Sequence, residues 1–142
     1  CVSISHSRLW AAAVVAEPGL AVGIDYQRLD HLRGEDLIRG GFGGAELKLF
    51  ESVSAEERAL VAAALWCAKE AAAKAAGLGL QGRPLDWQIL ASALAPHTVS
   101  FGSARVQHAG QEYDVAIQFD ALDAISALCL RPAADALSLP AT

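Results

Sequence analysis

Methionine is absent from this sequence, and cysteine and proline are scarce, at three and five in 142 residues. Cys1, Cys67 and Cys129 form an odd, widely spaced set without a CxxC pair, which argues against a disulfide framework and a structural zinc site. A reducing cytoplasm fits best. Long hydrophobic runs are missing too. The longest, residues 59–68, stops at Lys69-Glu70 after ten residues, whereas a bilayer span needs about 20. Positive charge is in deficit: the net charge is -5, with Lys and Arg interspersed among acids, so no basic stripe is available to track a phosphate backbone, and nucleic acid is not an expected partner. No targeting peptide is evident. The chain opens on Cys1 without an initiator Met, and Val2-Ser3-Ile4-Ser5 reads as the middle of a folded segment, so a fragment or excised domain is expected.

What is present is enough for one ordered globular domain, with 54% of residues in the hydrophobic set and 19% charged. Residues 9–16 are apolar and closed by Glu17-Pro18-Gly19, the pattern of a buried strand ended by a turn. A second strand is expected at 20–24, forming a hairpin with the first and bringing Ser5-His6 and Asp25 to one sheet end. Residues 31–50, with Gly40, Gly41, Gly43 and Gly44, read as a flexible surface loop; the lysine and Ser/Thr of a P-loop are lacking. Ser54-Ala55-Glu56-Glu57 matches a capping box that starts a helix. Good helix formers then run to Gly77, predicting a dominant helix over 55–76. Residues 87–94 are expected to be strand or irregular, 98–106 and 113–119 a hairpin with a longer turn, 123–130 a last strand, and the tail after Arg131 frayed.

On that helix Trp66, Glu70 and Lys74 are spaced four apart and share a face. Glu70 and Lys74 in isolation would be an ordinary solvated pair worth about 0.3–0.5 kcal/mol, with Trp66 plugging the core. Asp25, however, closes a Val-Gly-Ile strand, where it either initiates a turn or meets an acid on a packed helix. Magnesium takes one or two carboxylates plus substrate phosphates and water, and Asp25 with Glu70 supplies that number. His6 sits between Ser5 and Ser7; the three side chains are either phosphate donors or structural groups. Cys67 has no histidine placed to activate it and reads as a small buried hydrophobe.

Three segments in this order resemble the 4′-phosphopantetheinyl transferase superfamily, in particular its larger, pseudo-dimeric Sfp-like branch. Val2-Ser3-Ile4-Ser5-His6-Ser7 is similar to the family's (N/S)ISHS motif, Val22-Gly23-Ile24-Asp25 to its (I/V)G(I/V)D strand, and residues 66–77 to its WxxKExxxKxxG helix. The resemblance spans residues 1 to about 130 and implies an α+β fold, a small antiparallel sheet packed on one long helix, as a transferase domain over 1–131 with a flexible tail at 132–142. It implies transfer of 4′-phosphopantetheine from coenzyme A to the serine of an acyl or peptidyl carrier protein, with release of adenosine 3′,5′-bisphosphate. By the same carry-over Asp25 and Glu70 hold Mg2+, His6 and Asp25 contact coenzyme A, Lys74 meets the pyrophosphate, and Glu70 is the base for the serine proton. Lys69 is expected to be structural or a secondary phosphate contact.

The pattern departs from the family at Gln27, where many members carry a second acid, and in the first half of the pseudo-dimer, which this chain lacks. The missing half implies completion by the rest of a longer polypeptide, by a separate chain or by self-association, with embedding in a polyketide, fatty acid or peptide synthase as one setting. Two alternatives remain beside carrier activation: a non-catalytic half-domain that docks a carrier or dimerises within a synthase, and an unrelated magnesium-dependent phosphate enzyme using Asp25 and Glu70.

Overall fold

The computed structural model describes residues 1–30, 34–94, 100–120 and 124–133. Among them seven strands and two α-helices follow in the order β1 (Val2–Ser7), β2 (Trp10–Val15), β3 (Leu20–Arg28), α1 (Gly34–Gly41), α2 (Ala55–Ala75), β4 (Gln88–Ala93), β5 (Phe101–His108), β6 (Gln111–Asp120) and β7 (Ala124–Pro132). Five strands make an antiparallel sheet in the order β3-β7-β6-β5-β4, while β1 and β2 form a separate antiparallel ribbon. The fold is α+β, as expected.

Alanine makes the central packing possible. Residues 61–65, 67–69, 71–73 and 75 of α2 are buried, so the helix is enclosed on nearly every side, and its small side chains let the sheet approach closely. Ala104, Val106, Tyr113, Val115, Ile117, Ile125 and Ala127 supply the facing layer, in the alternation that a sheet buried on one face requires. The closest approach is at Gly23: a Cβ there would overlap the Ala71 carbonyl oxygen and come within 2.5 Å of the Ala75 backbone nitrogen. Gly77, at φ +75°, stops the helix, as a residue free of Cβ strain does.

Several local expectations are overturned. Residues 9–16 are not a buried strand paired with 20–24. β2 pairs with β1, Ser7 opposite Trp10 and Val2 opposite Val15; β3 pairs with β7; and Val15 is 79% exposed. The apolar run reflects a ribbon face in contact with no described element, a situation that hydropathy alone does not distinguish from burial. Nor is 34–50 a flexible loop: α1 and a 3-10 segment at Gly44–Phe50 occupy it, because Ile38, Phe42 and Phe50 enter the core. Residues 31–33 of that expectation lie outside the described residues.

Helix α2 starts where expected, without the reciprocal capping box. The Ser54 hydroxyl donates to the Glu57 carboxylate at 2.9 Å, and the Glu57 N–H donates to the Ser54 carbonyl. The β5–β6 hairpin turns through only Ala109 and Gly110, both at positive φ, rather than through a longer loop. Pro132, expected to be frayed, still pairs with Leu20. Parts of the expected strands, at 98–99 and 123, and most of the tail lie outside the described residues.

Candidate functional site

The β1–β2 ribbon reaches the sheet through side chains. The N–H groups of Ile24 and Tyr26 donate to the hydroxyls of Ser3 and Ser5, each at 3.0 Å. Both serines are buried. A Ser-x-Ser repeat has the period 2 of a strand, so both hydroxyls fall on one face and substitute for the backbone partners that the β3 edge would otherwise lack. Ser5 also donates to Asp25 Oδ1 at 2.8 Å. It is therefore committed to Asp25 and the strand, the structural one of the two roles left open for it. Sequence reasoning missed this role; the alternation Ser3-x-Ser5 beside an Asp-ended strand is the signal that carried it.

Asp25 lies on β3, Glu70 and Lys74 on α2, and the close approach at Gly23 brings the two elements together. A cleft of about 340 Å³ opens there, lined by Ile4, Ser5 and His6 of β1, Asp25, Tyr26 and Gln27 of β3, and Trp66, Glu70 and Lys74 of α2. All the site residues expected from the sequence thus converge, His6 from an exposed position. The Lys74 ammonium donates to Asp25 Oδ1 at 2.8 Å and to the Ile24 carbonyl at 3.0 Å, which fixes Asp25 from the helix side while Ser5 fixes it from the ribbon side. Trp66 lies against Gly41, where an added Cβ would stand 2.8 Å from the indole. It is half-buried between α1 and the cleft.

The electrostatics are unbalanced. Burial, and then the negative charge of Asp25, push the Glu70 carboxyl up from the usual carboxylate range; the Lys74 ammonium offsets this only in part. Cys67 is fully buried, and burial followed by the charge of Asp25 holds its thiol well above the ordinary range. That excludes a thiolate nucleophile. Two carboxylates sharing a cleft, one of them raised by the other, leave negative charge that a hard divalent cation would relieve. Among the described residues no cluster of three or more His, Cys, Asp and Glu side chains is placed to hold a metal. Asp25 and Glu70 supply two carboxylates, the number that a cation takes when it keeps water and draws its remaining oxygens from a substrate phosphate, as magnesium does.

Lys69 does not face the cleft. It is completely buried and donates to the Gly41 carbonyl at 2.7 Å and the Pro84 carbonyl at 3.1 Å, with Glu46 Oε1 at 2.9 Å. Glu46 in turn accepts from the N–H groups of Ile89 at 2.7 Å and Gly43 at 3.0 Å. The expected secondary phosphate contact is thus ruled out by burial, and the structural alternative holds. Glu46 was missed by sequence reasoning; an isolated acid in the Gly-Ala-Glu-Leu run was its only trace.

A family model described as the 4′-phosphopantetheinyl transferase superfamily matches residues 21–129, more than three quarters of the chain. The match includes Asp25, Glu70 and Lys74, and begins after Ser5 and His6. No curated protein matches the chain significantly.

Proposed function

The chain belongs to the 4′-phosphopantetheinyl transferase superfamily, and on that premise we propose that it transfers phosphopantetheine from coenzyme A to the serine of an acyl or peptidyl carrier, of the kind used by fatty acid, polyketide or peptide synthases. The observation that carries this reading is the convergence of Asp25, Glu70 and Lys74 in one cleft. Asp25 and Glu70 would hold Mg2+, which when bound neutralises pyrophosphate charge. Lys74, anchored on Asp25 and still partly exposed, would meet the pyrophosphate and offset charge on the leaving 5′-phosphate, and exposed His6 adds a donor to the substrate phosphates. Glu70, directly or through a water, accepts the proton of the carrier serine. The serine oxygen forms a bond to the pantetheine-side phosphorus as the bond to the adenosine-side oxygen breaks, releasing adenosine 3′,5′-bisphosphate. Little covalent chemistry is asked of the protein, since phosphoryl transfer depends mainly on positioning and charge neutralisation.

The test is incubation of the protein with coenzyme A, MgCl2 and an apo carrier, read by intact mass. The carrier should gain one phosphopantetheine, and Glu70→Gln should slow this by about 10²-fold or more, the range for a lost acid–base group. Gln27 favours a second reading, a half-domain that docks a carrier without catalysis, because an amide is a weaker metal ligand than a carboxylate. An unmodified carrier together with carrier binding that survives Glu70→Gln would select it.

A further inference from the structure

Ser3 and Ser5 seat the ribbon in the same way, each hydroxyl accepting one N–H of β3 at 3.0 Å, from Ile24 and from Tyr26. They differ in where the proton goes. Among the described residues Ser3 reaches no carboxylate, whereas Ser5 donates to Asp25 Oδ1 at 2.8 Å. A serine hydroxyl has one proton, and an ionised carboxylate can only accept. The bond accepted from Tyr26 and the bond given to Asp25 therefore fix the Ser5 hydroxyl from both sides, and both side chains are buried.

An aspartate carboxylate turns about a broad, two-fold torsion, so the place of Asp25 on β3 does not decide which oxygen meets a ligand. Two donors decide it. Ser5 from the ribbon and the Lys74 ammonium from α2 meet the same oxygen, Oδ1, each at 2.8 Å, and neither occupies Oδ2. The Cys67 thiol, on the buried side, adds only a weak donor to the carboxylate. Lys74 brings a positive charge that opposes a cation; Ser5 holds the carboxylate without one.

We propose that Ser5 is a positioning residue for the cation site: by holding Oδ1 it leaves Oδ2 as the Asp25 oxygen offered to a divalent cation, and it ties the seating of the ribbon to the filling of that site. This rests on the metal part of the reading above. The coupling is reciprocal, so a cation held better when the ribbon is seated must also hold the ribbon more firmly.

The experiment is titration of the full chain with Mn2+, an ion that suits carboxylate and water ligands as Mg2+ does, with and without coenzyme A, free Mn2+ being read by electron paramagnetic resonance. Ser5→Ala should bind about tenfold or more weaker, the scale of a lost hydrogen bond behind a metal ligand. Ser5→Thr, which keeps the hydroxyl, should recover affinity, and Ser3→Ala, which loses a seating bond alone, should stay near the parent. Equal losses in Ser3→Ala and Ser5→Ala would make Ser5 a seating residue and overturn the proposal, as would parental affinity in Ser5→Ala. Should Ser5→Ala not fold, amide exchange on the parent decides: saturating Mg2+ should slow exchange at Tyr26 about fivefold or more, and an unchanged rate would overturn the coupling. A parent that takes up no Mn2+ removes this proposal together with the metal part of the transfer reading. A parent that binds Mn2+ as expected but leaves the carrier unmodified fails the transfer reading alone.

Discussion

A lysine with no exposed surface marks the difference between a motif residue that touches substrate and one that holds the fold. Lys69 and Glu46 bind α2 to the backbone of Gly41, Gly43, Pro84 and Ile89, and burial lowers the Lys69 ammonium from its ordinary range while Glu46 draws it back up. Truncating one partner of such a pair leaves the other charged and buried. Lys69→Met should therefore lower stability by about 3–5 kcal/mol in urea unfolding, and stability kept with coenzyme A binding lost would contradict the buried role. Cys129, buried opposite Gly23, gives a pH dependence of definite sign. Burial holds its thiol up to about 11, so in the folded state the proton is bound more tightly than in the unfolded chain. Its contribution to stability is complete below about pH 8.5 and is lost as pH rises through about 11. Urea midpoints should fall over that window, and Cys129→Ala should flatten the fall.

At the scale of elements the site depends on one crossing, β3 over α2. Gly23 has backbone where any side chain would stand, so Gly23→Ala must push strand and helix apart. The cost should be about 3 kcal/mol or more, as for other severe overpacking, and coenzyme A affinity should drop because Asp25 moves away from Glu70 and Lys74. A Gly23→Ala protein with parental affinity and midpoint would show that the crossing is not what sets the site. This crossing was half legible beforehand. The i, i+4 spacing of Trp66, Glu70 and Lys74 and the strand ending at Asp25 were visible because both follow from local periodicity. Alanine-rich α2 was legible as a helix for the same reason. The pairing of β1 with β2 was not, since a hairpin between residues 9–16 and 20–24 satisfies the same turn signals, and only the long-range contact of Ser3 and Ser5 with β3 decides between them. The helix and 3-10 segment within 34–50 were hidden by glycines whose buried neighbours, Phe42 and Phe50, are recognisable only once the core exists.

At the scale of the molecule, the side chains proposed for catalysis line an open cleft, and among the described residues the ribbon that carries His6 is covered on only one face. Its other face carries Val2 at 60%, Ile4 at 61% and Val15 at 79% exposure. Val2 and Val15 lie directly opposite each other, and Ile4 stands opposite Ala13, so these side chains form a continuous apolar stripe leading to His6. A two-stranded ribbon is marginal in water on its own, and an apolar stripe of this kind marks an interaction surface. A second copy of this chain would cover it in solution. Its seating on the stripe would place its own surface next to His6 and close the cleft from above. Sedimentation velocity should then show a species that grows with protein concentration and with added coenzyme A and magnesium. Val15→Glu sets a charge in the stripe without touching the cleft or the core. It should keep the parental urea midpoint, remain a monomer and bind coenzyme A about tenfold or more weaker, as expected when one buried interface position receives an unpaired charge. A Val15→Glu protein that associates and binds as the parent does would show that the ribbon face plays no part in completing the site.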